Sequence, residues 1–364
     1  MDWLPLNRQV IRRESNGKTI WQPRIGCWLD DREHDGRGLG EGYEGCNEVT
    51  LFERLNCSDR LYVFGRCIRT EYAPDVRVEE RRLDALTTEK RILTPLGELK
   101  AVLKGNTSNY GVMPIKWLVE TPEELEIMRH VEEGMTYAFD QAEYDKLYAE
   151  RAHLGLPAIY LPRVSIQRLY LDLMGVENAT YALYDFPEQV EAYFETLEAN
   201  QRKLLDVVAD SPFEWVNYGD NLHCGMLPPA LFEKYVLPVY QRRNERLHRA
   251  GKFTFAHWDG DCKALLPYAP ETGLDGIEAI KSRRRRQYDV RLRSAAEAEA
   301  FCAEPLCVER REAECVTVSV GDDMRPFTQA LARHAVTGLE SVHQSLEDVF
   351  LHYYGQDKDG GAAK

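Results

Sequence analysis

The stretch "FTFAHWDGDCKALLPYAPETGLDGIEAIKSRRRRQYDV" (residues 253–290) decides how the chain is read. Its first part has the pattern of a strand, a polar loop, a short helix and a second strand. At Lys281 it runs into four consecutive arginines, Arg283 to Arg286. Working outward, "PEQVEAYFETLEANQRKLLDVVAD" (187–210) is amphipathic at helical spacing, and "FEWVNYGD" (213–220) reads as a strand. Residues 229–251 read as a helix interrupted at Pro238, because proline removes a backbone donor and clashes with the preceding turn. "LPAIYLPRV" (156–164) is a further strand candidate. Repeated β-α-β units argue for an α/β fold, a parallel sheet with helices outside it, either a barrel or a doubly wound sheet.

Nearer the N-terminus, residues 20–29 and 61–72 have strand-like composition, and residues 90–105 read as a hairpin turning at Thr94–Gly97. Thr121 with Pro122 and Glu124 predicts a helix start. The glycine-rich loop 30–45 does not fit G-x-G-x-x-G, since Glu41 and Tyr43 interrupt it, so a flap over a pocket is the better expectation.

Charge narrows the function classes. The net charge of −14 over 364 residues argues against nucleic-acid partners, which require a basic footprint. The arginine tract reads as a solvated linker. No run of eighteen apolar residues indicates a membrane span, and the first residues lack a signal-peptide pattern, so the cytoplasm is the expected location. The nine cysteines contain no CxxC pair and read as free thiols.

Polar residues gather where the expected strands end: Asp30 and Asp31; Arg163; Asn217, Asp220 and Asn221; His257, Asp259 and Asp261. In (β/α)8 barrels the βα loops converge at that face and carry the chemistry. Any one of these residues could merely cap the following helix. The same pattern at four strand ends favours a site.

The segments "LYLDLMGVENATYALYDFPEQVEAYF" (169–194) and "VNYGDNLHCGMLPPALFEKYVLP" (216–238), with the His257–Gly260 strand end and "ETGLDGIEAI", resemble the uroporphyrinogen decarboxylase superfamily. The resemblance spans about residues 20–280 and implies a (β/α)8 TIM-type barrel with a deep cleft at the strand C-termini. It also implies an enzyme acting on a small carboxylated substrate, in the namesake a tetrapyrrole decarboxylated without a cofactor. On that reading Asp220, His257 and Asp259 are the catalytic candidates. Arg24, Asp30, Arg32, Arg163, Tyr170 and Asn217 are the candidates for binding substrate; Tyr170 falls near a functional tyrosine of the decarboxylases.

The family's other branch comprises methyltransferases that use zinc and a corrinoid partner protein, the zinc held partly by a His-x-Cys pair. Here Asp259 stands where that thiolate would be, so a zinc set would be His257, Asp259 and Cys262, with Cys224 as a further donor. The namesake's N-terminal Arg-Gln-Ala-Gly-Arg-Tyr signature is absent. A homodimer is an open option.

Beyond residue 280 the resemblance ends. Residues 295–355, closing on "SLEDVFLHYYG", resemble the C-terminal end of an ABC-transporter ATPase, yet no phosphate-binding G-x-x-x-x-G-K-[ST] loop precedes them. The expected organisation is an incomplete barrel (1–280), a basic linker (281–294) and an unrelated βαβ-containing tail (295–364). An inactive chimera would have the same organisation. Alternatively, "ECVTVSV" (314–320) and "GLESVHQ" (338–344) supply the last two barrel strands.

Overall fold

In a computed structural model the chain is described over residues 1–105, 112–279, 286–321 and 323–342. It divides into two units, Met1–Ile280 and Lys281–Lys364. The first begins with short helices at Leu4–Ile11, Gly26–His34 and Glu48–Leu55. A 3-10 turn at Tyr62–Cys67 leads into β1 (Ile68–Glu71). An antiparallel meander follows, β2 (Arg77–Arg82), β3 (Thr87–Thr94), β4 (Gly97–Gly105) and β5 (Val112–Lys116), adjacent in that order. The expected hairpin is its β3–β4 pair, closed by Pro95-Leu96 where Thr94 Oγ1 accepts from Leu96 N at 3.1 Å. The helix Pro122–Gly134 starts where its signals predict: Thr121 Oγ1 accepts from Glu124 N at 3.2 Å. β6 (Thr136–Phe139) then returns to pair antiparallel with β1.

Among the described residues of this unit the remaining strands are β7 (Ala158–Leu161), β8 (Trp215–Tyr218), β9 (Phe253–His257) and β10 (Gly276–Glu278). They form a parallel sheet whose spatial order is the sequence order. The 24-residue helix Pro187–Asp210 joins β7 to β8, burying Val190, Tyr193, Leu197, Leu204 and Val208 along one stripe. Between β8 and β9 the helix breaks as expected, into Pro229–Tyr235 and Leu237–Arg249 with Pro238 just inside the second piece. At Gly276 the Phe255 ring lies across the backbone, 2.3 Å from where a Cβ would stand, so a larger residue would have to displace that ring.

Sequential parallel strands with intervening helices are the arrangement of an arc of a (β/α)8 barrel. The described residues contain four such strands and no closed barrel. The strand expected at 20–29 is absent; its second half is the start of the Gly26–His34 helix. Pro23 interrupts the apolar run, and Trp21 and Trp28 are exposed, which an interior barrel strand would not allow. No helix among the described residues is long and apolar enough to cross a membrane.

The second unit comprises β11 (Arg286–Leu292), a helix Ala295–Cys302, β12 (Cys307–Glu312), β13 (Cys315–Val320), a helix Arg325–Arg333 and β14 (Val336–Val342). Its sheet order is β12-β13-β11-β14 with every neighbour antiparallel, a split βαβ arrangement of the ferredoxin-like kind. Val290, Leu292, Phe301, Val316, Val318 and Phe327 form a core of its own.

Two expectations are corrected here. Residues 286–292, taken as part of a linker, form the central strand β11, with Val290 and Leu292 alternating inward. The segments proposed as the last two barrel strands are β13 and β14, which pair antiparallel to β11 and so do not continue a parallel barrel. Residues 280–285, with the start of the expected linker at 281 and Arg283 to Arg285, lie outside the described residues, as does "SLEDVFLHYYG".

Candidate active site

Parallel register places Tyr160 beside Asn217 and His257 beside Glu278. Asn217 pairs with Phe255, two residues before His257, so all four polar side chains leave the same face of the sheet. Glu278 is their common partner. It accepts from Arg60 at 2.8 and 3.1 Å, from Asn217 Nδ2 at 2.8 Å and from the Tyr160 hydroxyl at 3.3 Å. His257 Nδ1 stands 3.1 Å from the same carboxylate, and His257 Nε2 lies 3.6 Å from Asp259 Oδ2. Asn217 also donates to the Tyr62 hydroxyl at 2.7 Å, and the Tyr62 and Tyr160 rings stack at 4.0 Å. Burial pushes the Glu278 carboxyl up, but Arg60, His257 and Asn217 outweigh it and hold it below the ordinary glutamate range.

Beside this cluster opens a cleft of about 580 Å³ lined by Arg24, Arg163, Arg168, Asp172, Asn221 and His257, among others. Asp172 sits in a π-helical turn, Leu169–Leu173, an irregularity that re-aims side chains out of a helix. It accepts from Arg163 at 2.5 Å and from Arg168 at 3.2 Å. Arg168 also donates at 3.1 Å to Glu132, which is fully buried. Arg24 has no ion-pair partner among the described residues. The Nε atoms of Arg163 and Arg168 and the Oδ1 of Asn217 are buried without a hydrogen-bond partner. Guanidinium groups held in fixed positions along a cleft wall are suited to an anion.

The sequence-derived candidates divide accordingly. Arg24, Arg163 and His257 line the cleft, with Asn217 and Asp259 tied to His257 through Glu278 or directly. Asp220 does not meet the expectation of a catalytic group. It is fully buried, with Oδ1 accepting from Val164 N at 2.9 Å and Oδ2 accepting from the Tyr240 hydroxyl. Burial pushes its carboxyl above the ordinary range.

Asp30 and Arg32 line a separate hollow formed with Glu33 and Arg37, where Arg32 donates to Gly38 O at 2.7 Å. Tyr170 is packed in the core at 1% exposure and does not reach the cleft. The zinc set is not assembled either. Cys262 points its thiol at Leu222 O, 3.1 Å away, and burial pushes it up to about 12. Among the described residues no three His, Cys, Asp or Glu side chains are placed to hold a metal.

Glu278, Arg60, Tyr160, Arg168 and Asp172 were not among the candidates. For Glu278 a signal existed: in "GLDGIEAI" it is the polar residue at the end of a strand following the His257 strand.

Residues 168–293 match the family model described as uroporphyrinogen decarboxylase (URO-D). The matched segment carries Arg168, Asp172, Asn217, His257 and Glu278, and it continues into β11 of the second unit. No curated protein matches the chain. The likeness of residues 295–355 to an ABC-transporter ATPase draws no support from these comparisons. Over residues 168–293, about a third of its length, the chain is therefore similar to the uroporphyrinogen decarboxylase family.

Proposed function

We propose that the cleft is the site of a decarboxylase of the uroporphyrinogen decarboxylase type, acting on a small carboxylated molecule without a cofactor. The observation that carries this reading is one cleft in which Arg24, Arg163 and Arg168 converge beside His257, at the C-terminal ends of the parallel strands. Guanidinium groups bind carboxylates through paired, charge-assisted hydrogen bonds. In the step itself the bond between the substrate carbon and its carboxylate breaks, the electron pair stays on that carbon, and CO2 leaves. The His257 imidazolium then delivers a proton to the carbon. Glu278 and Asp259, on opposite sides of the ring, orient it and offset its positive charge.

The test is CO2 release and product analysis with uroporphyrinogen and simpler arylacetates, in wild type, Arg163→Ala and His257→Ala. Turnover abolished by His257→Ala, and substrate binding weakened at least tenfold by Arg163→Ala, is the expected result. Carboxylate binding unaffected by Arg163→Ala would defeat the reading. Stoichiometric zinc lost on His257→Ala would redirect it to methyl transfer.

A further inference from the structure

A second cavity, about 370 Å³, lies between the meander, the Pro122–Gly134 helix and the π-helical turn. Its walls are mostly apolar: Ile92, Leu103, Met128, Val131, Leu171 and Leu173 belong to them. Its charged members are Lys90, Arg168 and Asp172. Arg168 and Asp172 also line the cleft, so one ion pair forms a wall of both spaces. The irregular turn at Leu169–Leu173 produces this arrangement. It sets Asp172 at the boundary and turns Leu171 and Leu173 toward the apolar side.

We infer that the two spaces are compartments of one ligand site, shaped for a carboxylate attached to an extended apolar body. The carboxylate lies at Arg24 and Arg163 in the cleft, the alkyl or aryl body fills the second cavity, and the Arg168–Asp172 pair is the partition between them. This inference rests on the carboxylate reading of the cleft and narrows it to amphipathic acids. The partition is built to yield. Asp172 is held by two arginines, and an incoming carboxylate competes with it for Arg163, freeing the boundary as the head group binds. At about 370 Å³ the second compartment falls within the range of small-molecule pockets. Apolar walls reward each buried methylene, whereas a purely polar cleft would not distinguish chain lengths.

The test uses the full chain and calorimetric titration with straight-chain monocarboxylates from butyrate to decanoate, each matched by its alkanol. In wild type the affinity for the acids rises about fourfold per added methylene. Leu103→Trp and Leu171→Trp, one on each wall, remove that dependence and leave butyrate binding within about twofold of wild type. Two variants are used so that a folding defect in one leaves the other to decide. An affinity indifferent to chain length in wild type, or an unchanged dependence in both tryptophan variants, overturns the second compartment. If acids bind no tighter than alkanols and Arg163→Ala changes nothing, the carboxylate reading itself fails, and with it the joining of the two spaces.

Discussion

Asp220 and Glu278 both stand at the C-terminal ends of strands of the parallel sheet, Asp220 just after β8 and Glu278 as the last residue of β10, and both are largely withdrawn from water, yet their surroundings differ in kind. Asp220 is fully buried, and its two oxygens meet a backbone amide and a tyrosine hydroxyl that have no access to the cleft. It ties the loop after β7 to the helix Leu237–Arg249. Glu278 keeps 22% of its side-chain exposure and gathers an arginine, an amide, a phenol and an imidazole from four chain segments. One carboxylate is a strut. The other organises a face that a ligand can reach. Position at a strand end does not separate these roles; what separates them is whether the partners themselves are free to act on something else.

The largest effect expected from breaking this contrast is on stability. Asp220→Ala leaves Val164 N and the Tyr240 hydroxyl unpaired in the core and should cost about 3 kcal/mol, read from the urea midpoint at constant slope. Tyr240→Phe removes one of the two contacts and should cost about 1–2 kcal/mol. Glu278→Gln keeps the shape and one acceptor oxygen; its stability cost should stay near or below about 1 kcal/mol, while turnover falls at least tenfold. If Glu278→Gln destabilises as much as Asp220→Ala, Glu278 is a strut too and the contrast is lost.

The finest discrimination is in the sign of the pH dependence. Glu278 has a lowered carboxyl, so its contribution is present above the ordinary glutamate value and is lost as pH falls through the lowered one. Replacing it with Gln should flatten the acid limb of the stability curve. Asp220 has a raised carboxyl, so its contribution is present below the ordinary aspartate value and is lost as pH rises through the raised one. Asp220→Asn should therefore remove a fall in stability with rising pH, the opposite slope. Urea melts of both variants across the acid range decide it; equal slopes would contradict the assignment.

Much of the frame was legible because its signals are local. The Thr121 cap, the Thr94–Gly97 turn and the stripe along residues 187–210 each arise within a few turns of chain. The parallel sheet was legible for the same reason, strands alternating with helices. What escaped depends on partners distant in sequence. Arg60 reaches Glu278 across 218 positions, and no local pattern marks it. Asp220 looked like Glu278 in sequence because polar residues at strand ends are alike until Tyr240 and Val164 are brought to one of them. Residues 20–29 failed for a different reason: a short apolar run does not reveal its period, and Pro23 breaks it before a strand can form. In β11 the alternation of Val290 and Leu292 was hidden behind the arginines that precede it.

The central place of β11 in the second unit has a consequence for synthesis. It hydrogen-bonds to β13 on one side and to β14 on the other, although β14 emerges from the ribosome about fifty residues later. Until Val336–Val342 has been made, one edge of the innermost strand stands open, ready to pair with any other extended chain. Nascent chains stalled before Val336 should therefore be the aggregation-prone species, and pelleting of chains stalled before and after β14 would show whether β14 is what makes the unit safe.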